Sequence, residues 1–262
     1  MSNTVPRAPS FRDAGGLGVN VVAIIPAAGS GVRLGGAAPK QYVALAGMPM
    51  LARTLAAFES SAVIRAVVVV APPGDETRCR AVAIDPYGWK KILAVVPGGA
   101  ARQESVARGL DAVGADASIV VVHDAARPLV SDDLIRRVVD AARASGAAVA
   151  AIPIVDTLKR RIGDLTATVD REGLWAAQTP QAFRAELLRE AVARARADGF
   201  TGTDDAALVE RLGRPVTLVA GEPENFKITR SEDLTRAEEI VAMRTARAAR
   251  QAERRRPVRR SS

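Results

Sequence analysis

The chain has one cysteine, one histidine and few aromatics, 3% of its 262 residues. The lone Cys79 excludes an internal disulfide and suits a reducing cytoplasm. The lone His123, with no second histidine or cysteine set near it, offers no zinc site, and no Ser/His/Asp arrangement stands out at a recognisable spacing. Long hydrophobic runs are also missing. The longest, residues 19–28 and 66–73, are of strand length and far short of the roughly 20 apolar residues of a membrane-spanning helix, so no membrane segment is expected. The start of the chain lacks the basic and apolar stretches of a secretory signal.

What is present is a globular composition, 48% apolar and 25% charged, of a length that fits one α/β domain better than two. The net charge of +8 would ordinarily suggest nucleic acid or an anionic surface as partner. Its distribution argues otherwise. Eight arginines lie from Arg244 onward against the single acid Glu253, so that segment carries +7 and the rest of the chain +1. The body is nearly neutral, and nucleic-acid binding is expected only as weak contacts of a basic, disordered tail over residues 244–262. Residues 1–18, with Pro6, Pro9, Gly15, Gly16 and Gly18 and no hydrophobic period, read as a flexible leader. One domain is left, over residues 19–243.

Within it, short β-branched runs (19–25, 66–71, 92–96, 118–122, 147–152) alternate with amphipathic stretches (50–60, 75–83, 103–113, 132–144). That alternation predicts βαβ units, and hence a doubly wound α/β fold with a mainly parallel sheet covered on both faces. The rhythm breaks after Ile152. Threonines and valines around the Gly163-Asp164 turn predict a protruding β-hairpin over residues 155–175, suited to a dimerisation arm. Helices are expected over 184–197, 204–212 and from Ser231, with a strand over 215–220.

Ligands of a parallel sheet sit beyond the carboxyl ends of its strands, so the segments after the apolar runs hold the candidates. The first is PAAGSGVRLGGAAPKQY, residues 26–42. Its small Ala27, Ala28, Gly29 and Gly31 allow backbone N–H groups to approach phosphate oxygens, and Arg33 and Lys40 supply charge for a polyphosphate. It is neither a P-loop, since Lys40 does not follow the last glycine, nor a complete GxGxxG. The second is PGGAARQES, residues 97–105, where Gly98, Gly99, Arg102 and Ser105 read either as a turn before a capped helix or as a nucleotide contact. The third is VVVHDAARPLV, residues 120–130. There Asp124 is placed to bind Mg²⁺ or a substrate hydroxyl, Arg127 to meet an anion, and His123 to be buried and hydrogen-bonded. Arg171, Thr203 and Lys227 have bland readings as surface charges or a helix cap.

In this order the segments, with DTLKR, TVDREGLWAAQTPQAF, TDDAALVE and NFKITRSEDL, resemble one family over about residues 21–242: the 2-C-methyl-D-erythritol 4-phosphate cytidylyltransferases. The resemblance implies a Rossmann-like nucleotidyltransferase fold and a homodimer whose arm reaches the partner subunit. It also implies transfer of CMP from CTP to a phosphorylated polyol, with Mg²⁺ and release of pyrophosphate. On that likeness Arg33, Lys40, Lys227 and Asp124 form the catalytic set, and Ala27, Ala28, Gly29, Gly31, Gly98, Gly99, Arg102 and Ser105 hold the nucleotide. Asp124, Ala125, Arg127, Arg171 and Thr203 receive the acceptor. Members of the family often carry an acid after the glycine pair, where this chain has Ala100. Two alternatives stay open: a related cytidylyltransferase for ribitol phosphate, and a nucleic-acid-binding protein with a decayed site.

Overall fold

A computed structural model describes residues 20–29 and 39–255, with side chains through Gln251. The elements run β1 (Val21–Pro26), β2 (Ala44–Leu45), β3 (Met48–Pro49), α1 (Met50–Ser60), β4 (Ala66–Ala71), α2 (Glu76–Cys79), β5 (Ile92–Pro97), α3 (Arg102–Asp111), β6 (Ile119–Val122), α4 (Asp132–Ser145) and β7 (Ala147–Pro153). They continue with β8 (Leu158–Ile162), β9 (Leu165–Val169), β10 (Trp175–Arg184), α5 (Ala185–Ala197), α6 (Asp205–Arg211), β11 (Thr217–Ala220) and α7 (Ser231–Arg255). Seven strands form one sheet in the order β11-β7-β10-β6-β1-β4-β5. All its pairings are parallel except those of β10, which runs antiparallel to both β6 and β7.

The central strands are apolar on both sides because helices cover both faces. In β1, Val21, Ala23 and Ile25 pack with Leu51, Leu55 and Phe58 of α1 and with Leu134, Ile135 and Val138 of α4. The intervening Val22 and Ile24 pack against Val106 and Leu110 of α3, Leu188 of α5 and Val209 of α6. Side chains alternate across a strand, so one continuous apolar run feeds two cores. Helix starts follow local rules: the Ser131 hydroxyl accepts a 3.0 Å bond from Leu134 N–H, with Asp132 and Asp133 in the first turn of α4. Gly109 lets α3 lie close to the sheet, since a Cβ there would come within 2.6 Å of Ile24 Cγ2.

The expected mainly parallel α/β sheet and the β8–β9 hairpin are both present. Three details differ from the sequence reading. The helix expected over 75–83 is a single α-turn followed by a π-turn (Arg80–Ile84) and a 3-10 turn (Asp85–Tyr87). Strand β10 has no counterpart in that reading, because its polar Gln178, Thr179 and Gln181, with Pro180 among them, break the alternation expected of a strand. Those polar groups are nonetheless buried, satisfied by residues distant in sequence. Finally, α7 continues through Arg255, so the segment expected to be a disordered tail is helical over its first part. The leader and the end of the tail lie outside the described residues.

Candidate active site

The carboxyl ends of β1, β5 and β6 open into one cavity of about 740 Å³. Ala27, Ala28 and Gly29 follow β1, the turn from Gly99 to Arg102 follows β5, and Asp124 and Ala125 follow β6. Lys40, Gln41, Ser105, Lys227 and Thr229 complete the charged and polar lining. The volume lies in the range of pockets that bury a small ligand.

Asp124 is the electrostatic hub. Its Oδ1 lies 3.2 Å from Arg102 Nε, and its Oδ2 lies 2.9 Å from Lys227 Nζ and 3.8 Å from Arg127 Nε. Burial works against its charge, but Arg102, Lys227 and Arg127 outweigh burial and hold the carboxyl well below the usual carboxylate range. Lys227 is placed by its neighbour. Ile228 is wholly buried, and its N–H donates to the Ala126 carbonyl at 2.8 Å, which pins the segment beside the strand-end loop that carries Asp124. Thr229 is fixed in turn by Asp233, whose carboxylate accepts from its hydroxyl at 2.9 Å.

The glycine turn after β5 is shaped by Ser105 rather than left free for ligand. Its hydroxyl accepts from Gly99 N–H at 3.0 Å and donates to the Ala101 carbonyl at 3.1 Å. The Glu104 carboxylate accepts from Ala100 N–H at 2.8 Å, closing the turn one residue ahead of Ala101, from which α3 starts. Gly98 sits where a Cβ would be 2.4 Å from Ala28 Cβ, so two of the sequence-predicted nucleotide loops touch at this point.

His123 is buried and lies outside the cavity lining. Its Nε2 lies 3.0 Å from the Arg127 carbonyl and its Nδ1 lies 3.2 Å from Thr179 Oγ1, which itself accepts from Asp124 N–H at 3.0 Å. One assignment satisfies all three bonds: a neutral ring donating through Nε2, with the Thr179 hydroxyl donating to Nδ1. Burial pushes its pKa down from 6.5 to about 4. The folded ring therefore binds its proton later than the unfolded one as pH falls. Stability from this group is complete above pH 6.5 and is lost between there and about pH 4, by about 3 kcal/mol in all. Urea unfolding across that window should show the slope, and His123→Gln should flatten it. A folded-state ring that titrates near 6.5 by NMR would contradict this account.

Not every sequence-predicted residue reaches the cavity. Arg127 lines no part of it; its Nη1 donates to the Asn225 carbonyl at 2.8 Å and its Nε lies 3.8 Å from Asp124 Oδ2, so it braces the segment that presents Lys227 against Asp124. Gly98 is buried behind the lining. Arg171, exposed after β9, donates to the Val155 carbonyl, and Thr203 is exposed just before α6; neither lines the cavity of its own chain. Gly31 and Arg33 fall within residues 30–38, outside the described residues. Two further participants had no sequence signal. Asp205, in the TDDAAL segment, forms an ion pair with Arg102 at 2.8 Å from a buried position, and Asn225 donates hydrogen bonds to Gln178 and the Thr179 carbonyl. A helix-start Asp reads only as a cap, and an Asn in a loop reads as solvated.

A mainly parallel sheet with small-residue loops and converging cations at its carboxyl edge defines a nucleotide-binding α/β transferase of Rossmann-like architecture. Within that class the chain belongs to the 2-C-methyl-D-erythritol 4-phosphate cytidylyltransferase (IspD) family, whose model matches residues 21–243. A relative of that name from Pelotomaculum thermopropionicum is 48% identical over 87% of this chain and 97% of its own length. Another from Geobacter metallireducens is 46% identical over 84% and 97%. The crystal structure of the Thermus thermophilus enzyme of the same name superposes with a TM-score of 0.70 at 43% identity, covering 84% of this chain and 98% of that one. No described helix is long and apolar enough to cross a membrane.

Proposed function

We propose that this chain transfers CMP from CTP to 2-C-methyl-D-erythritol 4-phosphate, releasing pyrophosphate, in isoprenoid precursor synthesis. The observation that carries the reading is the convergence of Lys40, Arg102 and Lys227 with Asp124 on one cavity, in a chain matched to that family over residues 21–243. An oxygen of the acceptor phosphate attacks the α-phosphorus of CTP. A new P–O bond forms while the bond to the β-phosphate oxygen breaks, and the negative charge departs with pyrophosphate. Two anions must meet, so the protein's work is alignment and charge neutralisation rather than proton abstraction. Lys40, Lys227 and, on the same family likeness, Arg33 stabilise the triphosphate and the five-coordinate phosphorus. Asp124 keeps Lys227 and Arg102 aimed at one place.

Among the described lining residues Asp124 is the single acid, and no cluster of three ligating side chains occurs among the described residues. That composition fits a Mg²⁺ ion for which Asp124 would be the protein's donor beside the triphosphate. When bound, the ion supplies further neutralisation of phosphate charge. The test is pyrophosphate release from CTP with methylerythritol phosphate and Mg²⁺. Turnover with ribitol phosphate instead would move the chain to a different acceptor.

A homodimer accords with the arm. Val155, Ile162, Leu165, Leu174 and Trp175 expose apolar surface on and beside the hairpin, a patch that suits a second copy, and Arg171 sits on the same element. If Arg171 serves the partner's acceptor site, Arg171→Ala and Lys227→Ala chains are each inactive alone. Mixed dimers then hold one intact site and restore about a quarter of wild-type activity. No recovery would place Arg171 outside the site. A cytoplasmic location agrees with the single, buried thiol of Cys79.

A further inference from the structure

Asp205 is only 1% exposed, yet it opens α6 beside a residue that already performs the cap: the carboxylate of Asp204 accepts from Ala207 N–H at 2.9 Å. Its ion-pair partner is Arg102, whose Nη2 lies 2.8 Å from Asp205 Oδ2 while its Nε lies 3.2 Å from Asp124 Oδ1. Two of the three guanidinium nitrogens are thus committed to carboxylates on different elements. The next residue repeats the link: Gln103 donates to the Phe200 carbonyl at 3.0 Å and accepts from Gly202 N–H at 2.9 Å. The first turn of α3 is thereby stapled to the segment 200–205. A buried ion pair is a poor source of stability, because desolvating the charges cancels most of their attraction. Orientation is what it can supply, since a planar guanidinium held at two corners has no freedom to turn.

We propose that Asp205 is a positioning residue for the nucleotide: it fixes the Arg102 guanidinium at the cavity wall so that Arg102 meets the triphosphate. The inference rests on CTP being the ligand of this cavity. The sign of the effect separates it from simple electrostatics. Asp205→Asn removes a negative charge near a polyanion site, which by Coulomb's law alone would tighten CTP. Positioning demands the reverse.

The experiment compares CTP affinity by calorimetry, alongside KM for CTP, in wild type, Asp205→Asn, Arg102→Gln and the double variant. Asp205→Asn should weaken CTP about tenfold, the scale of one charge-assisted hydrogen bond. In the Arg102→Gln background it should change nothing, since no guanidinium remains to orient. Unchanged or tighter CTP binding in Asp205→Asn overturns the proposal, as does an equal loss in both backgrounds. If Asp205→Asn does not fold, the double variant still decides, because it leaves neither charge buried: it must match Arg102→Gln in CTP affinity, and a further loss overturns the proposal. Wild-type protein that binds CTP without transferring CMP would count against the proposed reaction and not against the role of Asp205.

Discussion

Lys227→Ala is expected to lower kcat for cytidylyl transfer by about 10²–10³, the usual loss when one fixed donor to a developing charge is removed. Its amine lies 2.9 Å from Asp124 Oδ2, at the edge of the cavity, and the buried Ile228 beside it prevents the chain from drifting. Stability should change little. The side chain is 43% exposed, so its pairing with Asp124 is screened by solvent, and Asp124 keeps Arg102 and Arg127 as partners. The measurements are single-turnover kinetics and thermal unfolding on the same preparation. A kcat within about threefold of wild type would remove Lys227 from the charge-stabilising set. A large loss of stability would mean that Lys227 works by holding the loop.

Gly98→Ala is expected to abolish measurable CTP binding at concentrations that saturate wild type. The added methyl group would lie 2.4 Å from Ala28 Cβ, 2.9 Å from Ser105 Oγ and 3.1 Å from the Ala71 carbonyl oxygen. None of the three can swing away, because Ala28 has no rotamer, the Ser105 hydroxyl bonds Gly99 and Ala101, and Ala71 belongs to β4. The turn after β5 must therefore separate from the loop after β1, and these are the two walls between which the nucleotide is expected to lie. Such overpacking typically costs about 1–3 kcal/mol, which a folded domain of this size tolerates, so the loss should show in affinity more than in folding. Normal CTP affinity in a folded Gly98→Ala protein would show that the two loops do not need to touch.

Legibility from sequence follows the range of the interactions. The alternating strands and helices can be read because a two-residue or 3.6-residue period is written into neighbouring residues. The loop at 26–42, the turn at 97–105 and the HDAARP segment are visible because a strand carboxyl end is a fixed place in an α/β sheet. Strand β10 is hidden. Its Gln178 finds the Glu222 carbonyl and its Gln181 finds Asp204, partners that leave no trace in the local pattern, so its polar residues look like loop. Arg127 reads as an anion receptor because an arginine just after a strand is well placed to be one; its bond to the Asn225 carbonyl depends on a segment 98 residues later.

By itself, then, the sequence determined the sheet's composition, the order of the loops along its carboxyl edge and the family to which those loops belong, since each is encoded in contiguous residues. Tertiary structure alone decided which charges meet. It drew Asp205 onto Arg102, Lys227 onto Asp124 and Arg127 away from the cavity, because ion pairing depends on distance in space and on burial, and neither is a property of a residue's neighbours in the chain.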